Sequence, residues 1–100
     1  THQDRIRAAL LGWPEYTINQ ALILYTLKCN GSPLETDKII QEVGNQKKDR
    51  GWKPKTLALS TFRTNVSILM RDGMVISSYR GRKQSLYELT SEAINQAKRY

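Results

Sequence analysis

At Gly73 the apolar residues change their spacing, and that change rules out more folds than any other pattern in the chain. Before it, Phe62, Val66, Leu69 and Met70 recur at i, i+4, i+7 and i+8. This is the inward face of an amphipathic helix that starts near Ser60, with Ser60 or Thr61 as its N-cap. After it, residues 75–80 are rich in Val, Ile and Tyr. A turn segment, Gly81-Arg82-Lys83-Gln84, leads into Ser85 to Leu89, where Tyr87 and Leu89 fall on one side. Two short strands about such a turn make a β-hairpin. A lone hairpin is not stable in water, so its apolar side must lie on helices. The chain is therefore expected to be α+β, with helices and hairpin sharing one core.

The remaining elements read as helices. Asp4 to Leu11 forms a short one with Ile6 and Leu10 on one face, interrupted at Gly12-Trp13-Pro14. A second runs from about Tyr16 to Lys28 with Ile18, Leu22 and Tyr25 as its buried stripe, and ends at Asn30-Gly31 before Pro33. A third starts near Thr36, whose hydroxyl can cap it, and Asp37 suits the positive end of its dipole. Ile39, Ile40 and Val43 are its apolar face, and Gly44-Asn45 its end. Gln46 to Lys55 reads as a basic loop with a frayed helical extension before it. Thr90 or Ser91 caps a last helix in which Ala93, Ile94 and Ala97 share a face. Trp13 is read as a packing residue, and Trp52 as an anchor of the basic loop into the core or a ring free to stack on a sugar. One hundred residues make a single domain, 1–100, with one compact core. The chain opens on Thr1, so it reads as a processed product or a piece of something longer.

Sixteen Lys and Arg oppose nine Asp and Glu, a formal charge of +7. Residues 1–46 sum to −1 and 84–100 to zero, whereas 47–83 carry ten basic and two acidic residues, a sum of +8. A positive field this concentrated attracts polyanions; the competing explanation is a basic surface kept for solubility. Cys29, the single cysteine, excludes a disulfide within the chain and a multi-cysteine zinc site. It is expected to be a buried thiol of an intracellular, cytoplasmic protein. The longest apolar run, Ala21 to Tyr25, is too short to cross a bilayer, so no membrane role is expected. Enzymatic chemistry finds no support. His2 is the single histidine, near a terminus, and Lys55-Thr56 follows no Gly-rich phosphate loop. No cofactor or metal is expected.

Residues 60–75, Ser-Thr-Phe-Arg-Thr-Asn-Val-Ser-Ile-Leu-Met-Arg-Asp-Gly-Met-Val, resemble the second half of a winged helix-turn-helix domain. Tyr87-Glu88-Leu89-Thr90-Ser91-Glu92-Ala93 resembles the closing strand and helix start of bacterial regulators of this class, where Gly often stands at the position of Ala93. The resemblance covers Ile18 to Ala97 in element order and 60–92 in detail. It implies a three-helix core, a C-terminal hairpin wing, and flanking N- and C-terminal helices. The long basic stretch Gly44 to Leu59 departs from the short turn usual before the recognition helix. Either the third helix continues through it or it is an insertion.

With the Phe62 side turned inward, Thr61, Arg63, Thr64, Ser67 and Arg71 face outward from a helix that fits the major groove of double-stranded DNA. Arg63 can pair with guanine O6 and N7, Asn65 with adenine, and Ser60, Thr61, Thr64 and Ser67 with bases or phosphates. The alternative is an ordinary solvated helix. Arg80, Arg82 and Lys83 at the hairpin tip can meet phosphates or enter a minor groove. The alternative there is a protected sheet edge. Tyr79 suits a cross-strand role or a sugar contact. Lys47, Lys48, Arg50, Lys53 and Lys55 form a loop cluster for flanking phosphates, or a merely solvated loop. The expected function is sequence-specific DNA binding by a transcriptional regulator or a plasmid- or phage-type partition or control protein. It would act as a homodimer through its first and last helices, with a partner protein excluded or recruited. A DNA-targeting module of a larger enzyme and a winged-helix protein-interaction module are the other readings.

Overall fold

The computed structural model describes residues 2–30, 33–52, 57–79 and 85–97, excepting the side chains of His2, Asp4, Arg5 and Tyr79. The elements are α1 His2–Leu11, α2 Ile18–Asn30, β1 Leu34–Glu35, α3 Thr36–Asp49, α4 Leu59–Arg71, β2 Val75–Tyr79, β3 Ser85–Leu89 and α5 Ser91–Ala97. This is the α+β order expected from the sequence, with one addition. The sheet has three antiparallel strands in the order β1-β3-β2, with Leu34 opposite Tyr87 and Val75 opposite Leu89. A two-residue strand shows no alternation, so β1 is invisible to a periodicity argument. It exists because β3 offers it a free edge.

The central helix is α2. Gln20 through Leu24, then Thr26 and Leu27, are all buried, so apolar neighbours surround it on nearly every side. Ala8, Leu11 and Trp13 cover it from one direction, Ile39 and Val43 of α3 from another, and Phe62, Val66 and Leu69 of α4 from a third. Trp13 Nε1 donates to the Ala93 carbonyl at 3.2 Å, tying the segment after α1 to α5. The Phe62 ring meets Tyr87 of β3 edge-on, with centroids 5.7 Å apart, and so fixes α4 against the hairpin.

Helix ends follow one device. At the end of α4, Gly73 N–H donates to Met70 O and Met74 N–H to Leu69 O, at 3.1 and 2.9 Å. This pair of bonds requires a left-handed residue, and Gly73 supplies it at φ 77°. The same bonds close α1 before Trp13 and α3 before Trp52. Each time a large apolar residue is turned back to the core or its margin.

Several expected boundaries are corrected. Helix α3 runs through Gly44 to Asp49, because Ile39, Val43 and Lys47 continue its buried face and outweigh the roughly 1 kcal/mol an interior glycine costs. Neither Thr36 nor Ser60 nor Thr61 is an N-cap. Those positions belong to Glu35 and Ala58, neither of which makes a side-chain cap bond. Thr90 does cap α5: its Oγ1 accepts from Ala93 N–H at 3.2 Å and donates to the Gly73 carbonyl at 2.7 Å. Cys29 is exposed, since α2 leaves the core in its last turn. Met70, expected to face inward, is 37% exposed at the edge of the α4 stripe. On α1 the buried residues are Ala8 and Leu11, while Ile6 and Leu10 point outward at 49% and 74% exposure. On α5, Ala93 and Ala97 are buried and Ile94 is exposed.

Tyr16, before α2, donates its hydroxyl to Asp72 Oδ2 at 3.1 Å, across from the end of α4. Burial and then the Asp72 carboxylate push the Tyr16 hydroxyl up to about 12 from 10.0. The fold thus favours the neutral phenol. Its contribution is complete below pH 10 and is lost as the pH rises toward 12. Urea unfolding of wild type and Tyr16→Phe across that window is expected to show an alkaline loss in wild type that the variant lacks. Parallel curves would contradict the assignment.

Candidate nucleic-acid interface

The candidate interface is built on α4. Three inward anchors, Phe62, Val66 and Leu69, fix the helix about its axis. The rest follows from a helix turning about 100° per residue. Ser60, Thr64, Ser67 and Arg71 lie farthest from the core, and all four are exposed. Thr61 and Arg63 are exposed as well, and Asn65 is half-buried. Arg63 therefore flanks the outer row on one side and Asn65 on the other. Ser60, Thr61, Thr64 and Asn65 line one shallow depression of about 230 Å³. Arg63 and Leu59 line a second, of about 280 Å³, closed by Glu35, Thr36 and Asp37 and by Ser85 and Tyr87 of β3.

The hydrogen bonds already present decide what these side chains can offer. Thr64 Oγ1 donates to the Ser60 carbonyl at 3.0 Å, so its proton is spent inside the helix and its oxygen remains an acceptor. Arg71 Nε lies 3.5 Å from Asp72 Oδ1 and shares that carboxylate with Tyr16. Arg71 is thereby drawn toward the C-terminal end of α4. Arg63 shares its cleft with Glu35 and Asp37, carboxylates that no reading of 47–83 alone takes into account. Asn65 Oδ1 accepts from Gln20 Nε2 at 3.1 Å. The paired reading of adenine expected of Asn65 needs that oxygen as an acceptor toward the base, so the base would have to share it with Gln20.

The basic connection is only partly the loop the sequence implied. Lys47 and Lys48 belong to α3. Lys47 is buried, and its Nζ donates to Asn19 Oδ1 at 3.0 Å. The Arg50 guanidinium sits 5.1 Å from the Tyr25 ring centre and 5.6 Å from that of Trp52. Arg7 of α1 lies 5.1 Å from the same Trp52 ring. Trp52 thus anchors the connection, as expected, between two cations. Lys47 is taken up by the fold, Arg50 is exposed but lies over two aromatic rings, and Lys48 is exposed. Lys53, Lys55, Arg80, Arg82 and Lys83 lie outside the described residues, as does the side chain of Tyr79. The hairpin is described up to the pair Tyr79 and Ser85, which sets the base of the wing.

Sequence reasoning missed Gln20, which reaches Asn65 across 45 positions. A signal was present: Thr17-x-x-Gln20 ahead of an apolar run is a capping-box pattern. Among the described residues no group of three or more His, Cys, Asp or Glu is placed to hold a metal ion. No helix among them is long and apolar enough to cross a membrane.

Three helices, α2, α3 and α4, with β1 between the first two and a hairpin after the third, define a winged helix-turn-helix fold. No protein-family model and no curated protein matches the sequence. Among solved structures, the PcaV transcriptional regulator from Streptomyces coelicolor, in complex with its natural ligand, is similar over 98% of this chain and 62% of that one, with a TM-score of 0.70 and 22% identity. A second structure of that regulator is similar over 98% and 64%, with a TM-score of 0.69 and 22% identity. The chain spans less than two thirds of the regulator's length. At this identity the likeness establishes the fold.

Proposed function

We propose that the chain binds double-stranded DNA as the recognition domain of a transcriptional regulator and performs no chemistry itself. The observation that carries this is the exposed row of Ser60, Arg63, Thr64, Ser67 and Arg71 on a helix anchored from behind, within the one stretch that holds the positive excess. Helix α4 enters the major groove. Lys53 and Lys55 before it, and Arg80, Arg82 and Lys83 on the wing, meet flanking phosphates. The exposed Ile6 and Leu10 of α1 and Ile94 of α5 are apolar surface for a second copy, and a homodimer would place two α4 helices on a two-fold site. Regulation by occupying an operator, or partition of a plasmid by the same contact, both use this geometry. So does exclusion or recruitment of a partner protein, in the cytoplasm where the DNA lies.

Side-chain deletions separate the roles. Arg63→Ala is expected to cost about 1–3 kcal/mol on a selected site and to relax preference at one base pair. Arg82→Ala is expected to weaken all sequences alike and to lower the salt slope by about one. Equal losses on every duplex for both variants would contradict the assigned division.

A further inference from the structure

The start of α2 settles how one side chain of α4 is turned. Gln20 N–H donates to Thr17 Oγ1 at 3.3 Å, and Thr17 N–H donates to Gln20 Oε1 at 3.1 Å, a reciprocal cap. A backbone N–H can be received only by the oxygen of the Gln20 carboxamide, so its orientation is set by chemistry. Its Nε2 is left to donate to Asn65 at 3.1 Å. Asn65 must then receive that bond on Oδ1, with Nδ2 turned the other way. Gln20 is 7% exposed and held by this network. Asn65 lines the depression with Ser60, Thr61 and Thr64. Among the described residues, the one buried side-chain polar atom lacking a partner is Gln46 Oε1, so Asn65 Nδ2 reaches solvent.

We infer that buried Gln20 presets Asn65 as a hydrogen-bond donor on α4, so that this position selects a base edge rich in acceptors, guanine or thymine, and disfavours adenine and cytosine. The inference rests on the DNA-binding reading above and specifies its readout. In the major groove guanine shows O6 and N7 and thymine shows O4, all acceptors. Adenine N7 also accepts, but adenine N6 beside it, where guanine has O6, and cytosine N4 are donors that would face the Asn65 amino group. Gln20 is a positioning residue and touches no DNA.

Gln20→Glu tests this without dismantling the cap. A carboxylate still accepts the Thr17 N–H, and negative charge is favoured in the first turn of a helix. It cannot donate to Asn65, so the Asn65 amide turns over, Nδ2 inward and Oδ1 outward. Wild type, Gln20→Glu and Asn65→Ala are each used to select from a randomised duplex pool. One position is expected to favour guanine or thymine in wild type, adenine or cytosine in Gln20→Glu, and neither in Asn65→Ala. A single hydrogen bond makes the preference roughly two- to tenfold. Identical preferences in wild type and Gln20→Glu, or a uniform loss in Asn65→Ala, would overturn the inference. Failure of wild type to bind any duplex would instead remove the DNA-binding reading. The orientation is then judged in the free protein by side-chain amide exchange. The Asn65 amide protons are expected to exchange fast in wild type and slowly in Gln20→Glu, and equal rates would overturn the switch.

Discussion

Phe62→Ala is expected to lower the unfolding free energy by about 3–5 kcal/mol, as deletion of a fully buried aromatic ring does. Phe62 has no exposed surface and sits among the anchors of α4. Its ring fills the space between α4, α2 and β3, and its edge-on contact with Tyr87 is lost with it. Small domains hold about 5–15 kcal/mol in total, so the loss is a large share. For a chain of this size it corresponds to a fall in melting temperature of at least about 12 °C. Leu59, one helical turn from Arg63, is half out of the protein, and Leu59→Ala is the matched comparison. A Phe62→Ala variant melting within a few degrees of wild type would mean that the face of α4 has been assigned backwards. The outward row of Arg63 and its neighbours would fall with it.

That face was legible from the sequence because Phe62, Val66 and Leu69 repeat with the helical period and because Gly73 marks where the period stops. The hairpin was legible for the same reason, and β3 spans the residues its alternation indicates. Helix ends were read less well. Gly44 looked like a terminus, yet α3 continues because Lys47 buries its stem beneath Asn19. A lysine's apolar stem is hidden in a count of charges. The same count offered Arg50 as a phosphate contact or a merely solvated residue, whereas its guanidinium lies over Tyr25 and Trp52. Gly12-Trp13, Gly51-Trp52 and Gly73-Met74 share one helix-ending bond pattern, a repeat visible in the sequence once the bonds are known. Cys29 and Leu10 belong to helices with more apolar residues than the core can cover, and periodicity alone does not say which are left outside. The tie from Gln20 to Asn65 joins residues 45 positions apart, so local patterns could supply its two ends and not the bond.

Duplex affinity against salt tests the proposed role most directly. Of the ten cations in 47–83, Lys47 and Arg50 already have partners within the fold, which leaves eight that the proposal can draw on. If roughly four to six of them displace counterions from phosphates, raising salt from about 50 to 200 mM weakens binding by about two to three powers of ten. That steep, linear fall on a logarithmic plot is the expected result. No binding to any duplex at about 50 mM salt, or an affinity indifferent to salt, would contradict it.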